Sequence, residues 1–119
     1  VSAREGVIEI GENTIVTKGA IMNGGGSIII GADCIIGPYN VINANDHKIG
    51  KKNLIRDKEF IYGDVKIGKN CWTGAFTSIK KNVEIANNSI IGAHSFVTRN
   101  TLENSINYGV PSKFVKNRD

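Results

Sequence analysis

The sequence predicts an all-β fold, a three-sided solenoid of short parallel strands. Three observations predict it: an aliphatic residue at every sixth position, a recurring corner residue, and a skewed choice of aliphatic types. In 119 residues Ile occurs 19 times and Leu twice. β-Branched side chains fill pleated strands, whereas Leu, the usual core residue of helices, is nearly missing, so a helical bundle is excluded. The aliphatic positions are Ile10, Val16 and Met22, then Ile30, Ile36 and Ile42, then Ile61, Ile67, Ile79, Ile85, Ile91 and Val97, with Thr73 the polar exception. Three residues after each stand Asn13, Gly19, Gly25, Asp33, Tyr39, Asn45, Asp64, Asn70, Phe76, Asn82, Asn88, His94 and Asn100. All but Tyr39 and Phe76 tolerate positive φ, which makes this column a series of left-handed corners.

Taken in order, Val1 to Glu9 follows the hexad poorly, and regular coiling begins at Ile10. In each hexad three residues form a strand pointing in, out and in, ending on the aliphatic residue. Three strands and three corners make a coil of 18 residues, so the 13 hexads wind a little over four coils. Two interruptions break the phase. Two extra residues near Gly24, Gly25 and Gly26 read as a tight bulged corner. The second is a 13-residue inserted loop, Lys48 to Phe60, with five basic residues, and loops that interrupt a regular scaffold often carry function. The whole chain, 1–119, reads as a single domain.

With both insertions looped out, the outward positions sort onto three faces. One carries Ile21, Val41, Trp72 and Ile90, an apolar stripe expected to be covered by another subunit. A second carries Ile15, Ile35, Lys66, Glu84 and Leu102, and a third Ile29, His47, Ser78 and Phe96. The same count puts Cys34 and Cys71 inward on different faces and coils, as small buried fillers unable to form a disulfide. A net charge of +4, spread along the chain with few aromatics, argues weakly for nucleic acid and suits a small polyanionic ligand. No apolar run is long enough for a membrane span, and Val1 to Gly6 is not a signal peptide, so a cytoplasmic protein is expected.

Of the two histidines, His94 falls in the corner column, where Asn would serve as well. His47 falls directly before the inserted loop, where a titratable imidazole is a candidate general base.

Three stretches then carry a specific resemblance: Val65-Lys-Ile-Gly-Lys-Asn-Cys-Trp-Thr-Gly-Ala75, Ile91-Gly-Ala-His-Ser-Phe-Val-Thr-Arg99 and Gly109-Val-Pro-Ser-Lys-Phe-Val-Lys116. In order and spacing they resemble the C-terminal half of the hexapeptide-repeat, coenzyme A-dependent O-acetyltransferases that modify galactosides, maltose and surface polysaccharides. The resemblance implies a left-handed parallel β-helix, homotrimers with clefts between subunits, and acetyl-CoA as co-substrate without a metal. It also implies that His47, which precedes Ile67 by 20 residues, is the catalytic base. Proton removal from an acceptor hydroxyl, followed by attack on the thioester in a ternary complex, then needs no covalent enzyme intermediate.

Carried over position by position, the cofactor contacts fall on the backbone of Ala75 and Ala93 along the pantetheine arm, with Trp72 flanking it. Arg99, Lys113 and Lys116 are the basic groups for the phosphates. The family's acceptor-site Asn is replaced by Gly19, which leaves Asn23, Asn45 and, from the basic loop, Arg56 as candidate acceptor contacts. Thr73 stands where the family has an aliphatic residue, and Ser112 where Ala or Cys is common, both away from the expected chemistry. Two histidines cannot supply the three ligands of a zinc carbonic anhydrase on the same solenoid. A scaffold or ice-binding solenoid would present regular Thr rows that are absent here. An amine of a nucleotide sugar, or serine, is the alternative acceptor to a sugar hydroxyl.

Overall fold

Corners set the architecture. Positive φ occurs at Asn13, Gly19, Gly25, Asp33, Asn70, Asn82, Asn88 and His94, as the column of tolerant residues predicts, and also at Tyr39 and Phe76, with φ of 56° and 57°. The computed structural model describes residues 6–50, 54–57 and 60–119. Its first coil is β1 (Ile8–Ile10), β2 (Ile15–Val16) and β3 (Ile21–Asn23), and its second is β4 (Ile28–Ile30), β5 (Ile35–Ile36) and β6 (Val41–Asn43). An arm follows, of β7 (Asn45–His47), a 3-10 turn (Ile55–Asp57) and β8 (Phe60–Tyr62). The third coil is β9 (Val65–Ile67), β10 (Trp72–Thr73) and β11 (Ser78–Ile79), and the fourth is β12 (Glu84–Ile85), β13 (Ile90–Ile91) and β14 (Phe96–Val97). A hairpin of β15 (Ser105–Gly109) and β16 (Ser112–Asn117) closes the rod.

Strands of successive coils stack in parallel to form three faces. The first face is β1-β4-β9-β12, the second is β2-β5-β10-β13-β15-β16, and the third is β3-β6-β11-β14. Inward side chains make one column of Met22, Ile28, Ile30, Ile36, Ile42, Val65, Ile67, Ile79, Ile85, Ile91 and Val97, each at most 2% exposed. Each buried aliphatic side chain contributes about 1.5–3 kcal/mol, so this column is the main source of the rod's stability. Thr73 joins it as the polar member without leaving an orphan. Its hydroxyl lies 2.5 Å from Asn40 Oδ1 and accepts from the Gly37 N–H, while Asn40 Nδ2 donates to the Gly74 carbonyl at 2.8 Å.

The inserted segment is larger than its sequence phase suggests. Ile42 and Ile79 are register partners 37 residues apart where a coil takes 18, so 19 residues lie outside the coil rather than 13. The excess is one hexad: Ile61, which fits the six-residue phase, instead sits in the arm, where β8 pairs antiparallel with β7 and leaves it 42% exposed. One skipped hexad rotates everything before the arm by one face. The expected stripe is therefore re-sorted: Ile15, Ile35, Trp72, Ile90 and Ile106 stack on the second face. Ile21 and Val41 belong with Ser78 and Phe96 on the third face, Ile29 stacks with Lys66 and Glu84 on the first, and His47 is on no face at all.

The same rotation brings Cys34 and Cys71 onto one face in adjacent coils, with the Cys71 N–H donating to Cys34 Sγ at 3.4 Å; both remain free thiols. Their separation on different faces, expected from the sequence, is thus wrong, although both are buried as expected. Three expected corners also lack positive φ. Asn45 is in β7, whereas Asp64 and Asn100 use their side chains, accepting the N–H groups of Ser27 and Glu84 at 2.8 and 2.7 Å. Ile8 and Glu9, outside the hexad in sequence, extend the first face in register with Ile28 and Ile29. Among the described residues no helix is long and apolar enough to cross a membrane.

Candidate active site

The arm leaves the rod at the edge between the third and first faces, after Asn43, and returns before Val65. Its seat is the triple glycine. Gly25, at φ 127°, lies under the Tyr62 ring, and the Asn45 side-chain N–H₂ donates to the Gly24 carbonyl at 2.5 Å. The Gly26 and Gly63 N–H groups both donate to the Ala44 carbonyl, at 3.0 and 3.2 Å. Asn23 lies alongside as the register partner of Asn43. The bulged corner expected at Gly24 to Gly26 is thus a socket for the arm, since a side chain at Gly25 would displace Tyr62.

His47 projects from β7, exposed, with its ring 4.9 Å from that of Phe60 and tilted by 39°. Its backbone N–H donates to the Asp46 carboxylate at 2.8 Å, and Lys81 Nζ lies 3.6 Å from the same carboxylate. The His47 N–H, then Lys81, hold the Asp46 carboxyl below its ordinary value. Asp46 therefore stays ionised and ties the arm to the rod, a link the sequence reading missed because Asp46 and Lys81 lie far apart in the chain. Between the arm and the third face runs a groove of about 300 Å³ lined by Asn43, Asn45, Asp46, Ser78, Lys80 and Phe96, among others.

The other expected site residues form two further groups. Ala75 and Ala93 stack in adjacent coils at the edge between the second and third faces, joined by the His94 N–H donating to the Ala75 carbonyl at 2.9 Å. Trp72 is half exposed on the second face nearby. On the same edge the rings of Tyr39, Phe76 and His94 stack at 5.3 and 5.1 Å, within 12° of parallel. That stack explains Gly19, because any β-carbon there would run into the Tyr39 ring. It also supports the reading of His94 as a corner residue. Arg99 and Lys113 meet at the closed end of the rod, in a pocket of about 190 Å³. Ser112 lines this pocket too.

Lys116 is exposed on β16 opposite Ile106, and Arg56 is exposed in the 3-10 turn, neither lining these pockets. Of the five basic residues of the loop, Lys51, Lys52 and Lys58 lie outside the described residues.

Within one chain, then, the imidazole and the small-residue edge lie on opposite sides of the third face. Such an arrangement can move a proton at His47 and seat an anion near Arg99 and Lys113.

The fold is that of a left-handed parallel β-helix built on a six-residue repeat, as its likeness to solved structures shows. Residues 64–99 match the family model described as bacterial transferase hexapeptide (six repeats). The galactoside O-acetyltransferase of Escherichia coli is 28% identical over 109 residues, covering 92% of this chain and 53% of that protein. Among solved structures, a maltose O-acetyltransferase from Clostridium difficile superposes with a TM-score of 0.88 at 29% identity, covering 94% of this chain and 59% of the other. A galactoside acetyltransferase in complex with coenzyme A superposes at 0.79 with 26% identity, covering 94% and 56%. The chain spans about half the length of the curated relatives it matches, at 40%, 55% and 53% for three of them.

Proposed function

We propose that this chain is the β-helical part of an O-acetyltransferase that moves the acetyl group of acetyl-CoA to a hydroxyl of a sugar or surface-polysaccharide precursor. One observation carries the reading. A chain alike over 94% of its length to a CoA-bound galactoside acetyltransferase raises an exposed imidazole on an arm outside the coil.

In this reading His47 accepts the proton of the acceptor hydroxyl, and the oxygen attacks the thioester carbonyl carbon. A tetrahedral oxyanion forms, held by a backbone N–H or a polar side chain. The carbon–sulfur bond then breaks, and the thiolate leaves as a thiol with the proton returned from His47. Asn23 beside the arm and Asn45 within it contact the acceptor, and Arg56 adds a basic group. The CoA arm runs past Ala75 and Ala93 with Trp72 beside it, and its phosphates meet Arg99 and Lys113, with Lys116 more remote.

The active assembly is a homotrimer. The apolar second-face column, with Ile15, Ile35 and Trp72 at 56%, 44% and 51% exposed, supplies a surface for a neighbouring copy. The cofactor on one copy's small-residue edge would then face His47 of another. The free, buried thiols suit a reducing cytoplasm.

The test is thiol release from acetyl-CoA with β-galactosides, maltose, amino sugars and serine as acceptors. Acceptor-dependent release with a sugar hydroxyl is expected. Release with none of these acceptors, from protein shown to be folded, would defeat the proposal.

A further inference from the structure

Ser112 is one of the positions at which this chain departs from the pattern it otherwise resembles, and there the structure also leaves a polar atom unsatisfied. Its hydroxyl oxygen is buried and has no hydrogen-bond partner. Burying a hydroxyl without a partner costs about 1–3 kcal/mol, so an orphan of this kind calls for a ligand or a role.

The surroundings say which ligand. Ser112 opens β16, opposite Gly109, and lines the end pocket with Arg99, Asn100, Thr101, Asn107 and Lys113. Among the described residues no acidic side chain lines this pocket. Among the described residues the ion pair found is Lys81–Asp46, which leaves Arg99 and Lys113 without a carboxylate partner there. The larger groove on the first face, of about 350 Å³, is by contrast balanced, with Lys66 and Lys69 against Glu84 and Glu103.

The pocket's other polar groups already hold the coil. Thr101 Oγ1 accepts from the Ala86 N–H and lies 2.9 Å from Ser89 Oγ, while Asn107 Nδ2 donates to Ser105 Oγ. Among the described residues, two cations without a carboxylate partner and one unpaired hydroxyl remain, all on residues that line a space of about 190 Å³. A phosphate group fits that donor set, because its oxygens accept hydrogen bonds from a hydroxyl and from both cations.

We infer that Ser112 is a phosphate-binding residue, its hydroxyl donating to a phosphate oxygen of CoA that is also held by Arg99 and Lys113. The inference rests on the CoA-dependent reading above and adds a contact which that reading does not assign.

Calorimetric titration tests it, with CoA, dephospho-CoA and pantetheine run against wild type and Ser112→Ala. The variant should bind CoA about tenfold more weakly and pantetheine unchanged, because only the phosphates reach the pocket. Loss of the effect with dephospho-CoA would assign the contact to the 3′-phosphate, and its persistence would assign it to the diphosphate. Without ligand the variant should melt at or above the wild-type temperature, since it removes an unpaired buried hydroxyl. Equal CoA affinity in the two proteins, or an equal loss with pantetheine, overturns the inference and leaves the CoA reading standing. A wild-type protein that binds none of the three ligands removes both.

Discussion

The ring of Tyr62 lies over Gly25 so closely that a β-carbon at Gly25 would fall 2.5 Å from its Cδ1 atom. Tyr62 belongs to the second strand of the arm and Gly25 to the corner one coil below, so the contact joins the arm that carries His47 to the coil. It gives the triple glycine a purpose that its sequence does not reveal.

Gly25→Ala should therefore unseat the arm. The position has φ 127°, a region L-residues rarely adopt, and the added methyl group meets the Tyr62 ring rather than open space. Left-handed strain alone is about 1–2 kcal/mol. The expected outcome is a rod that still melts cooperatively, a loss of the NMR contacts between Tyr62 and Gly25, and acetyl transfer reduced at least about tenfold. Retention of both the contacts and the rate would show that the seat is dispensable.

Asp46 makes the arm sensitive to acid. Its carboxyl is held below the ordinary range by the His47 N–H first, which outweighs the effect of burial, and then by Lys81. A group whose folded value is depressed stabilises the folded state fully above its unfolded value, about 3.9 for Asp, and that contribution is lost as pH falls through the folded value. The arm should loosen as pH drops below about 4. Asp46→Asn removes this titration, so NMR signals of His47 and Lys81 that move together in wild type below that pH should stay flat in the variant. Identical acid profiles would refute the link.

His47→Ala separates chemistry from structure. The imidazole is exposed and its ring contact is with Phe60, so melting temperature and CoA affinity should remain at wild-type values. Removing a general base lowers turnover by about 10²–10⁴-fold. A rate within threefold of wild type at saturating acetyl-CoA would take the base assignment away from this residue.

Much of the rod was legible in the sequence because one physical constraint repeats: a left-handed corner tolerates few residue types, and an inward aliphatic residue must follow at a fixed distance. Ten of the 13 expected corners have positive φ, and the exceptions are those where Asn45 enters the arm or where Asp64 and Asn100 bind backbone N–H groups instead. The insertion was legible, but its extent was not. Ile61 keeps the six-residue phase although it lies outside the coil, and a slip of one whole hexad is invisible to a period of six. The three faces are equivalent to that period, so the slip moved Ile15 and Ile35 off the face they share with Trp72. Of the site, His47 was marked by its place before an insertion. Ser112 was not, because an unpaired hydroxyl is a property of packing.

That slip supplies a direct test of which face meets a neighbouring copy. The sequence count groups Ile21 with Trp72, whereas the strand register groups Ile35 with Trp72 and Ile21 with Val41 and Phe96. Ile35 and Ile21 are comparably exposed, at 44% and 53%, so a Lys at either position disturbs the folded monomer little. Burying an unpaired ammonium in an apolar interface is strongly unfavourable. If the second face is the contact, Ile35→Lys and Trp72→Lys should shift the sedimentation profile from trimer toward monomer at micromolar concentration, and Ile21→Lys should leave it trimeric. The reverse pattern would move the interface to the third face, and three unchanged profiles would mean that the second-face column is not what holds the copies together.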